Sequence, residues 1–394
     1  MVAKRPIYLD HQATTPVDSE VVTAMLPYFT EHPGNPSSSH LFGWEAEAAV
    51  KQARRMLADV IRATPEEIIF TSGATEANNL AIKGIAEAYL QKGRHIVTVQ
   101  TEHNAVLEPC RYLETLGFEV TYLPVQDQGL IDLNQLEQTL RSDTVLVSVM
   151  AANNEIGVLQ PLAEIGALCQ RYQVLFHTDA AQAIDKIPLD VKAMQIDLLS
   201  ITAHKLYGPK GIGALYLRRG IRMASQLHGG GQEKGLRSGT LAAPLIVGLG
   251  KAVELAMHHQ AAEGHRLAQL RDNLWDQLQK LEGIYLNGHP TQHLPGCLNI
   301  SVAGVDGTRL LRELQPNLAV SSGAACASAK PTPSHVLTAL GRDPALARAS
   351  LRFGMGRFNT AADINQAASH VITAVQALRQ PHRARSIDLE KSGP

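Results

Sequence analysis

The chain of 394 residues has few cysteines, no appreciable net charge and no long uninterrupted apolar run. Its four cysteines are Cys110, Cys169, Cys297 and Cys326, and the closest two lie 29 positions apart. No C-x-x-C pair therefore exists to bind zinc or to exchange disulfides, and we expect no metal site. So few cysteines in a long chain are typical of a reducing compartment, which predicts a cytoplasmic protein.

Other absences exclude further classes of protein. The formal net charge of −1 gives no overall attraction to nucleic acid or to an anionic membrane, so we expect neither as a partner. The most apolar stretch, residues 241–257, contains Lys251 and Glu254 and cannot span a bilayer. The first seven residues lack the apolar core of a secretion signal. Apolar residues make up 45% of the chain and charged residues 19%, as in folded soluble enzymes.

Short β-branched segments alternate with helical patterns through the first two thirds of the chain. This alternation predicts an α/β fold with a mainly parallel sheet between helices. Ligand sites in such sheets lie at the carboxyl ends of the strands. The predicted strands are 67–71, 95–100, 145–150, 174–178 and 198–202, and the predicted helices are 75–91, 105–116, 133–140 and 162–172.

The last third has a different pattern. A helical stretch at about 241–281 leads to predicted strands at 298–302 and 351–353. Segment 321–334 reads SSGAACASAKPTPS, and its small residues and two prolines predict an exposed mobile loop. The polar tail, 379–394, is predicted to be disordered.

Lys205 lies in a glycine-rich turn, SITAHKLYGPKG (200–211), after a predicted strand. A lysine that forms a Schiff base needs a rigid backbone and a partly desolvated amine. Glycines beside it allow a flat cofactor to approach closely. Taken alone, this segment is more often a turn with a solvated surface lysine.

Asp179 follows the apolar run 174–176, one predicted strand before Lys205. A carboxylate at a strand end can pair with the ring nitrogen of pyridoxal phosphate and keep that nitrogen protonated. It could equally cap a helix at 180–183.

Two further segments could bind phosphate. The string SGATEANN (72–79) follows a predicted strand and opens a helix, which suits either an anion site or plain helix capping. The loop GGGQEKGLRSGT (229–240) is predicted to be flexible and could also touch phosphate. It lacks the spacing of a P-loop, which disfavours nucleotide hydrolysis.

Cys326 differs from the other three cysteines, which lie in ordinary apolar or helical contexts. Its neighbours are glycine, alanine and serine, with no large apolar residue to bury it. An exposed thiol in a mobile loop could approach a substrate sulfur. Attack requires the thiolate, and a free thiol with a pKa of about 8.5 is only slightly ionised at neutral pH, so another group must take its proton.

Two other residues have both a functional and a structural interpretation. Arg352 precedes Gly354 and Gly356, and its planar guanidinium suits bidentate binding of a carboxylate, or else a structural ion pair. His103 follows a predicted strand and by itself would be a hydrogen-bonded structural residue. Ring stacking becomes the better interpretation only if Lys205 and Asp179 bind a cofactor beside it.

Ten short segments of the sequence, taken together and in order along the chain, resemble the cysteine desulfurases. These enzymes belong to the class-V aminotransferases of fold type I, and the resemblance is to the subgroup with a long cysteine loop. The resemblance covers about residues 7–378. The strings are LDHQATTP (9–16), GNPSSSH (34–40), FTSGATEANNLAIKG (70–84), TEHNAV (101–106), NNEIGVLQP (153–161), HTDAAQA (177–183), AHKLYGPKGIG (203–213), GGGQEKGLRSGT (229–240), SSGAACAS (321–328) and LRFGMGR (351–357).

The resemblance implies two domains. A large domain, 14–258, would bind pyridoxal phosphate on a mainly parallel seven-stranded sheet. A smaller α+β domain, made of 1–13 and 259–394, would carry the cysteine loop.

The resemblance also implies a role for each matching residue. Cys326 is the sulfur acceptor, Lys205 the lysine bonded to the cofactor, and His103 an acid–base group stacked on the ring. Cofactor contacts are implied for Asp179 at the ring nitrogen, Gln182 at the ring hydroxyl, and Ala74, Thr75, Asn154, Thr202, His204 and Thr240, most of them at the phosphate. Asn154 and Arg352 would receive the substrate carboxylate.

The implied function is conversion of L-cysteine to L-alanine, with a persulfide formed on Cys326. The sulfur would pass to an acceptor protein such as an iron–sulfur scaffold, or serve tRNA thiolation or thio-cofactors. Thr240 would contact phosphate in the neighbouring subunit, which implies a homodimer. The alternatives are a selenocysteine lyase or another aminotransferase-like enzyme of this fold and, in a different class, an inactive sulfur-trafficking scaffold.

The role of Cys326 generates a direct prediction. We expect Cys326→Ser to keep the yellow absorption of the cofactor, because the substitution leaves Lys205 in place, yet to form no persulfide. Absorbance and persulfide labelling after addition of cysteine measure the two properties. Normal sulfide release from this variant, with cysteine as the sole thiol, would refute the role.

Overall fold

The computed structural model describes residues 5–322 and 332–380, so Cys326 lies outside the described residues. The strands are β1 (Ile7–Tyr8), β2 (Ile68–Thr71), β3 (His95–Val99), β4 (Glu119–Leu123), β5 (Thr144–Ser148), β6 (Leu175–Asp179), β7 (Leu198–Thr202), β8 (Gly213–Leu217), β9 (Ile284–Leu286), β10 (Cys297–Val302), β11 (Leu318–Ala319), β12 (Ser321–Ser322) and β13 (Ser350–Gly354). The helices are α1 (Ser19–Met25), α2 (Pro27–Thr30), α3 (Leu41–Val60), α4 (Ala74–Ala88), α5 (Asn104–Thr115), α6 (Leu133–Thr139), α7 (Leu162–Arg171), α8 (Ala243–Leu278), α9 (Gly307–Leu314), α10 (His335–Ala339), α11 (Pro344–Arg348) and α12 (Ala361–Arg379).

A seven-stranded sheet forms the centre of the fold, in the order β2-β8-β7-β6-β5-β3-β4. The strands from β7 to β4 run parallel, whereas β8 is antiparallel to both of its neighbours. Every residue of β3, β5 and β7 is buried, as expected for strands covered by helices on both faces. The predicted mainly parallel α/β sheet is confirmed.

Parallel pairing brings the carboxyl ends of several strands to one edge of the sheet. Asp179 is the last residue of β6, and Thr202 is the last residue of β7. His103 lies in the turn-rich segment after β3, and Asn154 lies in the turn-rich segment after β5. The fold therefore gathers at one edge residues that are far apart in the sequence.

The elements missing from the sequence prediction include β4, β8 and α3, all of which belong to or pack beside the large sheet. Strand β8 follows the glycine-rich turn after Lys205, where turn residues conceal the start of a five-residue strand. Helix α3 buries Ala46, Val50, Ala53 and Leu57, an apolar spacing of three to four residues that periodicity could have detected.

A four-stranded antiparallel sheet, in the order β12-β13-β10-β9, lies in the C-terminal third. Strand β1 pairs in parallel with β11, so the N-terminal segment joins this part of the chain. A separate apolar cluster, which includes Leu9, Leu274, Ile300 and Val371, fills its interior. The 36-residue helix α8 passes unbroken through position 258, and the exact domain limits stay a prediction. In the described part of the chain, no helix has the length and apolar content needed to cross a membrane.

Gly213 provides a test of how closely the sheet packs beneath the site. A Cβ at this position would lie 2.3 Å from the Ile201 carbonyl oxygen and 2.7 Å from the Gly73 Cα. We expect Gly213→Ala to lower the free energy of unfolding by about 1–3 kcal/mol, because backbone must move. Chemical denaturation measures the change.

Gly264, inside α8, serves as the matched control. A Cβ there would have its nearest neighbour at 4.0 Å, the Pro295 side chain. Because alanine favours the helix, Gly264→Ala should raise stability by about 0.5–1 kcal/mol. Equal stability of the Gly213→Ala protein and the unsubstituted protein would contradict the packing described.

Candidate active site

A cavity of about 540 Å³ opens at the carboxyl edge of the seven-stranded sheet. It brings together nearly all the cofactor residues that the sequence predicts. Its lining contains Ala74, Thr75, His103, Asn154, Asp179, Gln182, Thr202, His204 and Lys205, together with Ala13, Thr14, Ser72, Gly73, Glu76, Ala105, Met150, Ala152, Ala181, Lys210 and Gly211.

Lys205 ends a 3₁₀ turn, Ala203–Lys205, that directly follows β7. The backbone of this turn is held in place by the Lys186 amine, which donates a hydrogen bond of 3.2 Å to the Lys205 carbonyl. Burial lowers the pKa of Lys205 to about 8, although the nearby charge of Asp179 opposes this shift. A much larger fraction of the amine is therefore unprotonated at neutral pH than in an ordinary exposed lysine, as a Schiff-base lysine requires. The alternative of a solvated surface lysine is wrong.

Asp179 is held by two hydrogen bonds and is 6% exposed. Asn78 of α4 donates from Nδ2 to Oδ2 at 2.7 Å, and the Ala181 backbone N–H donates to Oδ1 at 2.9 Å. No helix forms at 180–183, where the chain makes turns, so the helix-capping alternative for Asp179 is wrong.

His177 supports Asp179 from two residues earlier on the same strand. Its ring bridges Ser148 of β5 at 2.8 Å and Ser200 of β7 at 3.0 Å. Burial lowers the pKa of His177 to about 4, so the ring is neutral and can use both nitrogens in hydrogen bonds. Three neighbouring strands are thereby tied together beneath the cavity.

Gln182 and His103 present polar atoms toward a ligand. Gln182 donates from Nε2 to the Gln12 carbonyl at 2.8 Å, and its buried Oε1 has no partner among the described residues. His103 caps α5, where its Nδ1 accepts from the Ala105 N–H at 3.0 Å. The neutral ring therefore carries its hydrogen on Nε2. Burial, followed by the charge of Lys205, lowers the pKa of His103.

The start of α4 forms the anion-binding side of the cavity. Gly73 precedes the helix with φ of 152°, a conformation that favours glycine, and its lack of a side chain leaves the first turn open. Glu76 accepts from the Ser72 N–H at 2.7 Å, just before the N-cap residue Gly73, while Thr75 lines the cavity. Free N–H groups at a helix start suit a phosphate.

His204 and Thr202 complete this side of the cavity. The His204 Nδ1 lies 3.2 Å from the Thr14 hydroxyl, and burial lowers its pKa to about 4. Thr202 is 2% exposed and ends β7. Both side chains offer neutral hydrogen-bonding groups and add no positive charge.

Arg352 lies in β13 and does not line the cavity. Its guanidinium donates to Asp10 Oδ1 at 2.7 Å, to the Ser321 hydroxyl at 2.9 Å and to the Asn154 carbonyl at 2.8 Å. The ion pair with Asp10 is the structural alternative that the sequence left open. One buried donor, Nε, has no partner among the described residues.

The loop at 229–240 is anchored, whereas the sequence predicts a flexible loop. Glu233 pairs with Arg54 and accepts from the Phe70 N–H at 2.7 Å. Arg237 donates to Glu76 at 2.7 Å. Thr240, at the end of this loop, is exposed and lies outside the cavity of its own chain.

Cys110, Cys169 and Cys297 are buried, in agreement with their predicted structural role. Burial raises the pKa of Cys110 to about 12 and that of Cys297 to about 11, so neither is a ready nucleophile. Within residues 5–322 and 332–380, no three His, Cys, Asp or Glu side chains are grouped as a metal ion would require.

Sequence reasoning missed several contributors to the site. Asn78 lies in the segment 70–84, which resembles the family, yet only the fold shows that its side chain donates a hydrogen bond to Asp179. Met150, Ala152 and Ala181 add apolar surface to the cavity, and no local signal distinguishes them from core residues. Lys210 adds a second amine to the lining.

These residues fit pyridoxal phosphate. The unpartnered Oε1 of Gln182 can accept from a ring hydroxyl, and the first turn of α4 can bind a phosphate. Asp179 and Lys205 provide a carboxylate for the ring nitrogen and an amine for the aldehyde.

The fold and this cavity together define an aminotransferase-like enzyme. Residues 7–367 match the family model described as Aminotransferase class-V, and the chain belongs to that family. Within it the chain belongs to the cysteine desulfurases. Over 380 residues it is 54% identical to the cysteine desulfurase of Mus musculus. The aligned region covers 95% of this chain and 83% of the relative. Families of this kind use pyridoxal phosphate.

Solved structures agree with this assignment. A NifS-like protein superposes with a TM-score of 0.90 at 36% identity, covering 95% of this chain and all of that one. A structure of SspA in complex with cysteine superposes with a TM-score of 0.80 at 40% identity, covering 90% of this chain and 99% of that one.

The lowered pKa of Lys205 predicts how cofactor attachment depends on pH. Because only the free amine attacks an aldehyde, the rate at which pyridoxal phosphate bonds to cofactor-free protein should rise with pH and level off above about 8. Absorbance after rapid mixing measures this rate.

Asp179→Asn should shift that inflection to lower pH, because Asp179 raises the pKa of Lys205. Lys210→Ala is the matched control: Lys210 lines the cavity but does not influence the pKa of Lys205, so the inflection should stay in place. An inflection near 10 in the unsubstituted protein would contradict the burial of this amine.

Proposed function

We propose that this chain is a cysteine desulfurase that binds pyridoxal phosphate on Lys205 and transfers the sulfur of L-cysteine to Cys326, releasing L-alanine. The supporting observation is one cavity that holds the Lys205 amine of lowered pKa together with the Asp179 carboxylate. The chain carrying this cavity is 54% identical to a cysteine desulfurase.

The residues of the cavity divide the binding work. Asp179 would hold the ring nitrogen, Gln182 the ring hydroxyl and His103 the ring face. Ala74, Thr75, Thr202 and His204 would hold the phosphate, and Asn154 would contact both cofactor and substrate. Bound pyridoxal phosphate supplies an electron sink when the α-proton of an amino acid is removed.

Proton transfer falls to Lys205 and His103. With a pKa of about 8, the free amine of Lys205 can take a proton from the substrate Cα and return it. His103, whose lowered pKa keeps its ring neutral, has its hydrogen on Nε2, since Nδ1 accepts from the Ala105 N–H. The Nε2–H can donate a hydrogen bond to a reacting group, and the ring can take up a proton when Nδ1 releases the Ala105 N–H.

Arg352 would bind the substrate carboxylate through its unpartnered Nε. Its Nη2 donates to Asp10 and Ser321, and its Nη1 donates to the Asn154 carbonyl. Asn154 thus connects the cavity lining to Arg352, which supports a substrate position between them.

We further propose a homodimer in which Thr240 reaches the phosphate of the neighbouring subunit. Two observations support it: Thr240 is exposed, and it lies outside its own cavity. The anchoring of loop 229–240 by Arg54 and Glu76 would hold Thr240 in position for that contact.

The fate of the sulfur completes the proposal. Cys326 would carry it as a persulfide to an acceptor protein, such as an iron–sulfur scaffold, in the cytoplasm. The buried, high-pKa thiols of the other three cysteines favour Cys326 as the carrier, because they are poor nucleophiles.

The central experiment measures alanine released from cysteine by the purified protein in the absence of any 2-oxo acid. We expect alanine and transferred sulfur in equal amounts, because a desulfurase needs no amino-group acceptor. Dependence on a 2-oxo acid would indicate an aminotransferase, and release from selenocysteine alone a selenocysteine lyase.

Lys205→Ala should abolish both the yellow absorption and alanine release, because no other residue is proposed to bond the cofactor. Lys192→Ala, which removes an exposed lysine far from the cavity edge, is the matched control and should retain both. A colourless unsubstituted protein would instead support the inactive scaffold.

A further inference from the structure

Glu102 is a fully buried carboxyl group beside the active site to which no function has been assigned above. It lies between β3 and α5, next to His103, and is 0% exposed. Its Oε1 accepts from the backbone N–H of Met150, which lines the cavity. Its Oε2 has no partner among the described residues.

The surroundings of Glu102 do not suit a carboxylate. None of the ion pairs formed within residues 5–322 and 332–380 includes it, in contrast to the partly buried pairs such as Arg352–Asp10. The titratable groups that interact with its carboxyl are Asp179 of β6 and Cys110 of α5, and neither is a cation. The nearby imidazoles are His103, the next residue, and His335, which contacts the Glu102 backbone carbonyl and not its side chain. A buried anion with one hydrogen bond and a negative neighbour is strongly disfavoured.

The backbone of Glu102 is fixed from two sides. Its carbonyl accepts from His335 Nε2 of α10 at 2.9 Å. Asn153 donates to the neighbouring Thr101 carbonyl at 2.9 Å. With the side-chain bond to Met150, these contacts join the segment before His103 to the segment that contains Asn154.

We propose that Glu102 is a positioning residue of the active site and works as a neutral carboxylic acid. As a neutral group it accepts from Met150 and fixes His103 against Asn154 without adding a second negative charge near Asp179. Asp179 then remains the one carboxylate of the site that faces the ring nitrogen. The inference rests on the proposed function for its catalytic consequence, but not for the protonation of Glu102.

The direction of the pKa shift follows from the same burial and the same negative neighbour. Burial, and then repulsion by Asp179, raise the pKa of Glu102 well above its usual value, against the bond from Met150. In the unfolded chain the group has its ordinary pKa. The folded protein therefore holds a proton that unfolding releases, and its stability should fall as pH rises from the ordinary pKa of a glutamate toward the raised one.

Glu102→Gln tests the protonation state, because the amide keeps the acceptor for Met150 and cannot ionise. In the intact, cofactor-loaded protein, we expect the melting temperatures of the variant and the unsubstituted protein to be similar at about pH 5. The variant should then gain about 1–2 °C per pH unit over the unsubstituted protein as pH rises toward the raised pKa of Glu102. An infrared band of a protonated carboxyl should persist at neutral pH and be absent from the variant.

Glu108→Gln, which alters an exposed glutamate of α5, is the matched control and should show neither effect. Parallel melting curves for Glu102→Gln and the unsubstituted protein, or no protonated-carboxyl band, would overturn the neutral state of Glu102. Both measurements are independent of alanine release, so this outcome is distinct from failure of the proposed function.

The positioning role has its own test. Glu102→Gln should keep kcat within about threefold, whereas Glu102→Ala, which leaves the Met150 N–H unpaired, should lower kcat by about tenfold or more. Rescue by glutamine and loss by alanine, with the yellow absorption retained in both, support the role. Equal activity of the alanine variant would refute it.

Discussion

The active site depends on two charged groups, the Lys205 amine and the Asp179 carboxylate, that lie at the carboxyl ends of adjacent parallel strands. Asp179 ends β6 and pairs in register with Ser200 of β7, five residues before Lys205. Burial lowers the pKa of the Lys205 amine and the charge of Asp179 raises it, and the net result is a pKa of about 8. Hydrogen bonds from Asn78 and Ala181, and the His177 bridge across three strands, hold this arrangement rigid.

Much of this arrangement could be predicted from sequence because its signals are local. Strand-forming segments followed by polar residues placed Asp179 and Lys205 at one sheet edge, and the structure brings nine of the predicted side chains to one cavity. The ordered strings supplied the roles. Local signals also misled: the glycines of 229–240 predicted flexibility, but the buried Glu233–Arg54 pair is a contact between distant segments that only the fold creates.

The residues that escaped prediction act through tertiary contacts. Asn78 reaches Asp179 only because α4 packs against β6. Glu102 reaches the Met150 N–H only because β3 and β5 are neighbours in the sheet. In the sequence Glu102 is one more charged residue, which is normally exposed. Arg352 shows the reverse case: its structural interpretation, an ion pair with Asp10, is observed, whereas carboxylate binding through the unpartnered Nε stays a prediction.

Helix α8 has a consequence for movement of the two sheets relative to each other. Its 36 residues extend about 54 Å and pack first on α3 beside the large sheet and then on α12 beside the small one. Because this one helix is shared by both halves, any movement of one sheet relative to the other has to bend or tilt α8.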